Sequence, residues 1–265
     1  MLSRSIYGLL FFVLVTSVPA PADVLFSDTT FNPVNYNNFS AVPNVDTGVI
    51  ATYGQCQTCG HPGQALQVLV SIPVTAGGAF VGFLNNTFNY DPSTQGAILS
   101  LSASVDKDLT LNQSTTSFAS FFYPLIKQGA NYYIANLPGG TINSGTTTGW
   151  ETITSQPSSP TGLLATDFGL YDFGTTSVPD FSSNPDFSAT GAPMTFGLAP
   201  LVSSNAAFDI TVNYDNLNFD IINGNSGPGQ SPVPESSSLV LLSIFVVGFA
   251  LRSLGPAVRW KLKRH

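Results

Sequence analysis

Cys56-Gln-Thr-Cys59 is the one cysteine pair in the chain, followed at once by Gly60 and His61. Covalent haem attachment needs His directly after the second Cys, so the motif is one residue out. A thioredoxin-like role needs strand, motif and helix in succession, and no helical pattern follows. Zinc needs four ligands, and only Cys56, Cys59 and His61 are near. The expected state is a structural disulfide between Cys56 and Cys59. Its loop is so short that closing it gains little entropy.

The remaining chemistry is carboxylates and flat rings. Glu151, beside Trp150, is the only glutamate before the tail, and His61 is the only histidine there. Glycoside hydrolysis needs two opposed carboxyl groups. Adjacent strand residues point to opposite faces, so Trp150 and Glu151 cannot share a cleft. No Gly-x-Ser-x-Gly elbow presents a serine nucleophile. The chain therefore reads as a non-enzyme. Glycan binding uses ring faces for C–H contact and amides or carboxylates for hydroxyls. Trp150, Tyr132 and Tyr133 are the residues picked for that contact. Structural calcium is the one cofactor the residues leave open. Asp28 near the first strand and Asp215 near the last would supply it if those strands are neighbours.

These residues must be held by β structure. Leu99, Leu101, Ala103 and Val105 alternate with serines. Leu66, Val68, Val70 and Ile72 share one parity, and so do Phe208, Ile210, Val212 and Tyr214. Such alternation puts one face in a core and one in water. Leu217, Phe219 and Ile221 continue on the opposite parity, which predicts a bulge or bend at Asp215-Asn216. Further strands are expected at Val24–Phe31, Val49–Tyr53, Ala79–Asn85, Phe118–Lys127, Tyr132–Ala135 and Trp150–Ile153. Turn residues separate the runs. The fold class is all-β, an antiparallel sandwich, jelly-roll-like or else immunoglobulin-like, with the first and last strands as neighbours.

Residues 155–205 break this rhythm. They are rich in Pro, Ser, Thr and Gly and repeat one dipeptide, Asp167-Phe168, Asp172-Phe173, Asp180-Phe181 and Asp186-Phe187. The spacing fits neither helix nor strand. It predicts a long surface excursion pinned to the core by its phenylalanines.

Charge divides the chain. Fourteen acids and two lysines lie within residues 23–230, for a net −12, while the last fourteen residues carry five basic side chains. A body of that charge repels phosphate, which excludes nucleic acid as a partner. Arg4, the apolar run Ile6–Val15 and Ala20-Pro21-Ala22 have the order of a signal peptide, residues 1–22. The exported domain is then 23–223, and 224–232 is a flexible linker. The chain closes on 233–265, where Val233, Pro234 and Glu235 precede an apolar run and the basic cluster. A helix over about 239–258 rises roughly 30 Å, enough to span a bilayer if Arg252 snorkels. Basic residues stay cytoplasmic, so the body faces out.

This tripartite tail resembles the PEP-CTERM sorting signal of Gram-negative bacteria, a Pro-Glu-Pro motif, a hydrophobic helix and an Arg-rich end. Pro234 and Glu235 match the motif, and Ser236 stands where its second proline would be. The resemblance implies recognition by an exosortase, a membrane transpeptidase with a Cys nucleophile that cuts near the motif. It also implies a place in the envelope or a biofilm matrix. For the body, the expected role is structural or interactive, with a carbohydrate-binding module as the alternative and polysaccharide as its partner. A surface glycoside hydrolase is the last reading.

Overall fold

Alternating apolar residues build two antiparallel sheets that close on each other. The computed structural model describes residues 23–37, 42–73, 76–111, 117–135, 139–144, 148–155, 160–175 and 178–224. Residues 1–22, read from the sequence as a signal peptide, and 233–265, read as a sorting tail with Val233, Pro234 and Glu235, lie outside the described residues. Residues 23–226 form one compact unit.

The strands are β1 (Val24–Asp28), β2 (Val42–Val45), β3 (Ile50–Gly60), β4 (Gly63–Ile72), β5 (Gly77–Tyr90), β6 (Ile98–Leu111) and β7 (Ser117–Gln128). They continue as β8 (Asn131–Ala135), β9 (Gly139–Ser144), β10 (Thr148–Thr154), β11 (Phe168–Tyr171), β12 (Met194–Ser204) and β13 (Phe208–Asn223). The first sheet runs β10-β6-β13-β4-β3, with β1 added to β13. The second runs β11-β8-β7-β12-β5-β2, with β9 added to β7. The described part is thus an all-β antiparallel sandwich, as the alternation predicts. The first and last strands pair, Val24 opposite Ile221 and Asp28 opposite Leu217.

Between the sheets, inward side chains meet as rings. Phe26 stacks on Phe88, Tyr53 meets Phe83 edge-on, Phe118 stacks on Phe208, and Phe196 tilts against Phe219. On β13 the inward set is Phe208, Ile210, Val212 and Tyr214, then Leu217, Phe219 and Ile221, all buried. The change of parity falls where the sequence puts it. The register against β6 slips between Asp215 and Asn218, and Asn216 takes a φ of 52°. The extra residue keeps both halves of a 16-residue strand facing the same core.

Two expectations are corrected. Leu99 does not join Leu101, Ala103 and Val105 inside. It is exposed, Ser100 is buried, and the Ser100 hydroxyl donates to the Thr161 carbonyl at 2.7 Å. The register slip beside Ile98 turns this end of β6 over. Residues 155–205 are also not one excursion, because β11 and β12 lie within them. β12 is central, paired to β5 on one side and β7 on the other. Pro200 sits inside it, a residue that normally argues against a central strand.

The part that is an excursion behaves as expected. Phe168 and Phe187 meet in the core. Phe173 packs on the outside of the second sheet against Phe80, Tyr132 and Tyr171. The paired aspartates make turns. Asp172, Asp180 and Asp186 each accept the N–H two residues on, from Gly174, Ser182 and Ser188, at 2.8 to 2.9 Å. In these three Asp-Phe units a turn is joined to an anchor, whereas Asp167 accepts the Leu164 N–H behind it.

Candidate functional site

Strands of the second sheet are apolar on both parities. On β7, Phe118, Phe122 and Ile126 face the core, while Leu125 belongs to a separate buried cluster with Phe80, Ile134, Tyr171, Phe173 and Ala199. Tyr123, Tyr132 and Leu201 pack against that cluster, half-buried. A second apolar layer outside a sheet needs cover, and Phe173 supplies part of it. At Gly82 of β5 an added Cβ would lie 2.8 Å from the Phe173 ring and 3.1 Å from Leu125, so only glycine gives the ring its seat. At Gly169 of β11 the Phe181 ring lies equally close.

Beside this cover an open cleft of about 290 Å³ remains on the outer face. Phe80, Tyr123 and Leu201 line it with Ile134 and Tyr171, and Asn44, Asp46, Gly78, Ser203 and Pro179 complete it. Phe80 meets Tyr123 and Tyr171 edge-on, with centroids 5.1 and 5.0 Å away. The Asn44 amide donates to the Tyr171 hydroxyl at 2.9 Å and to the Thr175 carbonyl at 2.7 Å, tying β2 to the excursion. Those two acceptors orient the amide and leave its Oδ1 as an acceptor. Asp46 accepts the Gly78 N–H at 2.8 Å and is otherwise exposed. Burial pushes the hydroxyls of Tyr123 and Tyr171 above the usual phenol range, so both stay protonated donors. The cleft thus combines ring surface with neutral hydroxyls, one amide and one carboxylate.

A different arrangement occupies the outer face of the first sheet. The tip joining β3 to β4, whose β3 arm carries the Cys56–Cys59 disulfide, reaches across the face instead of projecting from its end. The His61 N–H donates to Asp215 at 2.6 Å, and its carbonyl accepts from the Asn216 amide at 3.0 Å. The His61 Nδ1 lies 3.3 Å from Asp106, which also accepts from Thr152 at 2.6 Å and from Asn216 at 2.8 Å. Beyond Asp106 the His61 ring stacks on Trp150 of edge strand β10. Ala65, Asn213 and Asp215 sit on this outer face and are nonetheless buried.

The residues picked from the sequence are scattered by this geometry. The disulfide is present. Trp150 has one face against His61, on the first sheet. Tyr132 is half-buried on the second sheet, edge-on to Phe173, with the Lys127 ammonium 5.6 Å above its ring. Tyr133 is buried in the core. The three do not converge, and Tyr133 has no face to offer a ligand. Asp28 and Asp215 lie near each other, as the pairing of β1 with β13 implies. Both are filled by donors. Asp28 accepts from the Thr30 N–H and hydroxyl, the Phe31 N–H, the Tyr36 hydroxyl and the Asn85 amide. Asp215 accepts from His61 and Asn216. Among the described residues, no group of three or more His, Cys, Asp or Glu is placed to hold a metal ion. Glu151 is 3.6 Å from the ammonium of Lys107, which is turned inward and buried.

Sequence reasoning missed Asn44, Asp46, Phe80, Tyr171 and Ser203 as a group. One signal for them existed. Phe121, Phe122, Tyr123, Leu125 and Ile126 leave no polar parity on β7, so its outer face was never going to be bare.

No family model matches the chain, and no curated protein matches it in sequence. Among solved structures it is similar to the family 11 carbohydrate-binding module of a cellulosomal cellulase of Clostridium thermocellum, at 11% identity over 78% of this chain and 97% of that one, with a TM-score of 0.38. A second is the CBM22-1 xylan-binding domain from Paenibacillus barcinonensis, at 12% identity over 78% and 99%, with a TM-score of 0.33. A third is TmCBM27, a module described for mannan recognition, at 12% identity over 76% and 99%, with a TM-score of 0.35.

Proposed function

We propose that this chain is an exported, non-catalytic surface protein whose sandwich binds polysaccharide in the cleft lined by Asn44, Tyr123 and Tyr171. The observation that carries the reading is the cleft itself, with half-buried Tyr123 for the face of a sugar ring above a floor that includes Phe80, and Asn44, Asp46, Tyr171 and Ser203 for hydroxyls. Its lining holds a single carboxylate, Asp46, where hydrolysis would call for two. The apolar run and basic cluster after Glu235 support delivery by an exosortase-type enzyme, with the cell surface or matrix as destination.

Affinity electrophoresis of the full chain through gels containing neutral or acidic polysaccharides tests the binding. The expected result is retardation by at least one polymer, relieved by Tyr123→Ala. Unchanged mobility in every gel would sink the reading. Mass spectrometry of the mature C-terminus tests the delivery. A product ending near Ser236 is expected, and a full-length tail in the inner membrane would show a plain anchor instead.

A further inference from the structure

Resting on that reading, we infer that the cleft takes an uncharged polysaccharide and discriminates against polyuronates and sulfated glycans. The first ground is local. Of the lining residues, only Asp46 carries a charge at neutral pH, and it is exposed at the cleft. A uronate or sulfate seated there would meet that carboxylate with no cation in the lining to offset it. A neutral sugar instead donates its hydroxyls to Asp46 and to the Asn44 Oδ1, and accepts from the two tyrosine hydroxyls and Ser203. Its C–H face lies on half-buried Tyr123.

The second ground is global. The sandwich carries fourteen acids against Lys107 and Lys127. Neither lysine serves the cleft. Lys107 is buried between the sheets, its ammonium 3.3 Å from the Ser120 carbonyl. Lys127 stands over the ring of Tyr132, outside the lining. A polyanion therefore approaches a surface of its own sign, with no basic patch among the described residues to guide it in.

Polymers matched in backbone and differing in charge test this with the full-length chain. Suitable pairs are hydroxyethyl- and carboxymethylcellulose, β-1,4-mannan and polymannuronate, and dextran and dextran sulfate. Binding is compared at about 20 mM and about 500 mM salt, where the Debye length falls from ~20 Å to ~4 Å. In whichever pair binds, the neutral member is expected to bind about tenfold tighter at low salt. Its affinity should not depend on salt, and the gap should narrow at high salt. Asp46→Asn, checked for unchanged thermal unfolding, should narrow the low-salt gap. An acidic member that binds as tightly as its neutral partner, or more tightly, at low salt overturns the inference and leaves the cleft as a glycan site. Failure of every polymer in every pair overturns the site as well.

Discussion

The imidazole of His61 lies flat on the indole of Trp150, with ring centroids 5.4 Å apart and planes 9° apart. One residue comes from the tip between β3 and β4 and the other from the far edge strand, β10. The stack is the outermost of a row of contacts that also includes Asp215 and Asp106, so it reports whether the tip is seated. An aromatic pair of this kind is worth about 1 kcal/mol. His61→Ala should lose about that much stability in denaturant titrations, while His61→Phe should retain most of it. Trp150 emission should shift to the red in the alanine variant, read with Trp260→Phe as background. An unchanged midpoint and spectrum would mean that the stack holds nothing.

The two aspartates under the tip should titrate in opposite senses. Burial raises the Asp215 carboxyl above the usual range, and the charges of Asp106 and Asp28 add to this, against the N–H groups of His61 and Asn216. Burial also pushes on Asp106, but hydrogen bonds from Thr152, Asn216 and His61 outweigh it and hold Asp106 below that range. A carboxyl raised in the folded state stabilises fully below its unfolded-chain pKa and loses that contribution as pH rises through its folded value. A depressed one stabilises above its unfolded-chain pKa and loses that contribution as pH falls through its folded value. As pH falls, Asp215 should therefore take its proton while Asp106 is still ionised, and the tip should remain seated. Carboxyl carbon NMR should find Asp215 titrating first on acidification. The reverse order would refute this account.

Gly82→Ala should unseat Phe173. The new methyl would lie 2.8 Å from the ring and 3.1 Å from Leu125, and the ring is boxed in by Phe80, Tyr132 and Tyr171. Overpacking of this sort costs about 1 to 3 kcal/mol. Differential scanning calorimetry should show a lowered melting temperature. An unaltered melting temperature would mean that Phe173 moves aside freely.

Asn44→Ala should separate ligand binding from stability. The amide makes two hydrogen bonds at the margin of the cleft and is only half-buried. Its loss should cost about 1 kcal/mol in unfolding. Binding should fall more steeply, by about tenfold, because the excursion wall loses its tie and the sugar an acceptor. Equal losses in both measurements would place Asn44 in the scaffold alone.

Much of the framework was legible because period-two patterning is a local property. Leu66 to Ile72 and both halves of β13 announced their inward faces, and the conflict of parity at Asp215-Asn216 announced the bulge. The pairing of β1 with β13 followed from the closeness of termini in a folded domain. β12 was hidden by composition. Pro193, Gly197 and Pro200 resemble the excursion before them, and only pairing on both sides makes a strand of Met194–Ser204. The cleft was legible only in part. Tyr123 and Tyr132 were visible as rings, yet nothing local brings Asn44 to Tyr171 or sends Tyr133 inward while Tyr132 turns out. The arch of His61 over Asp215 and Asp106 was also beyond reach, since its partners come from three separate strands.

The glycine seats beneath Phe173 and Phe181 separate the histories of wall and floor. A segment held by discrete pegs can be lengthened, shortened or exchanged between them without renegotiating the strand ladders below. Homologues should therefore diverge in loop length between the two pegs while keeping Gly82 and Gly169 fixed. Selection for a new sugar would act there first, on a rim that can be rewritten cheaply above an inherited platform.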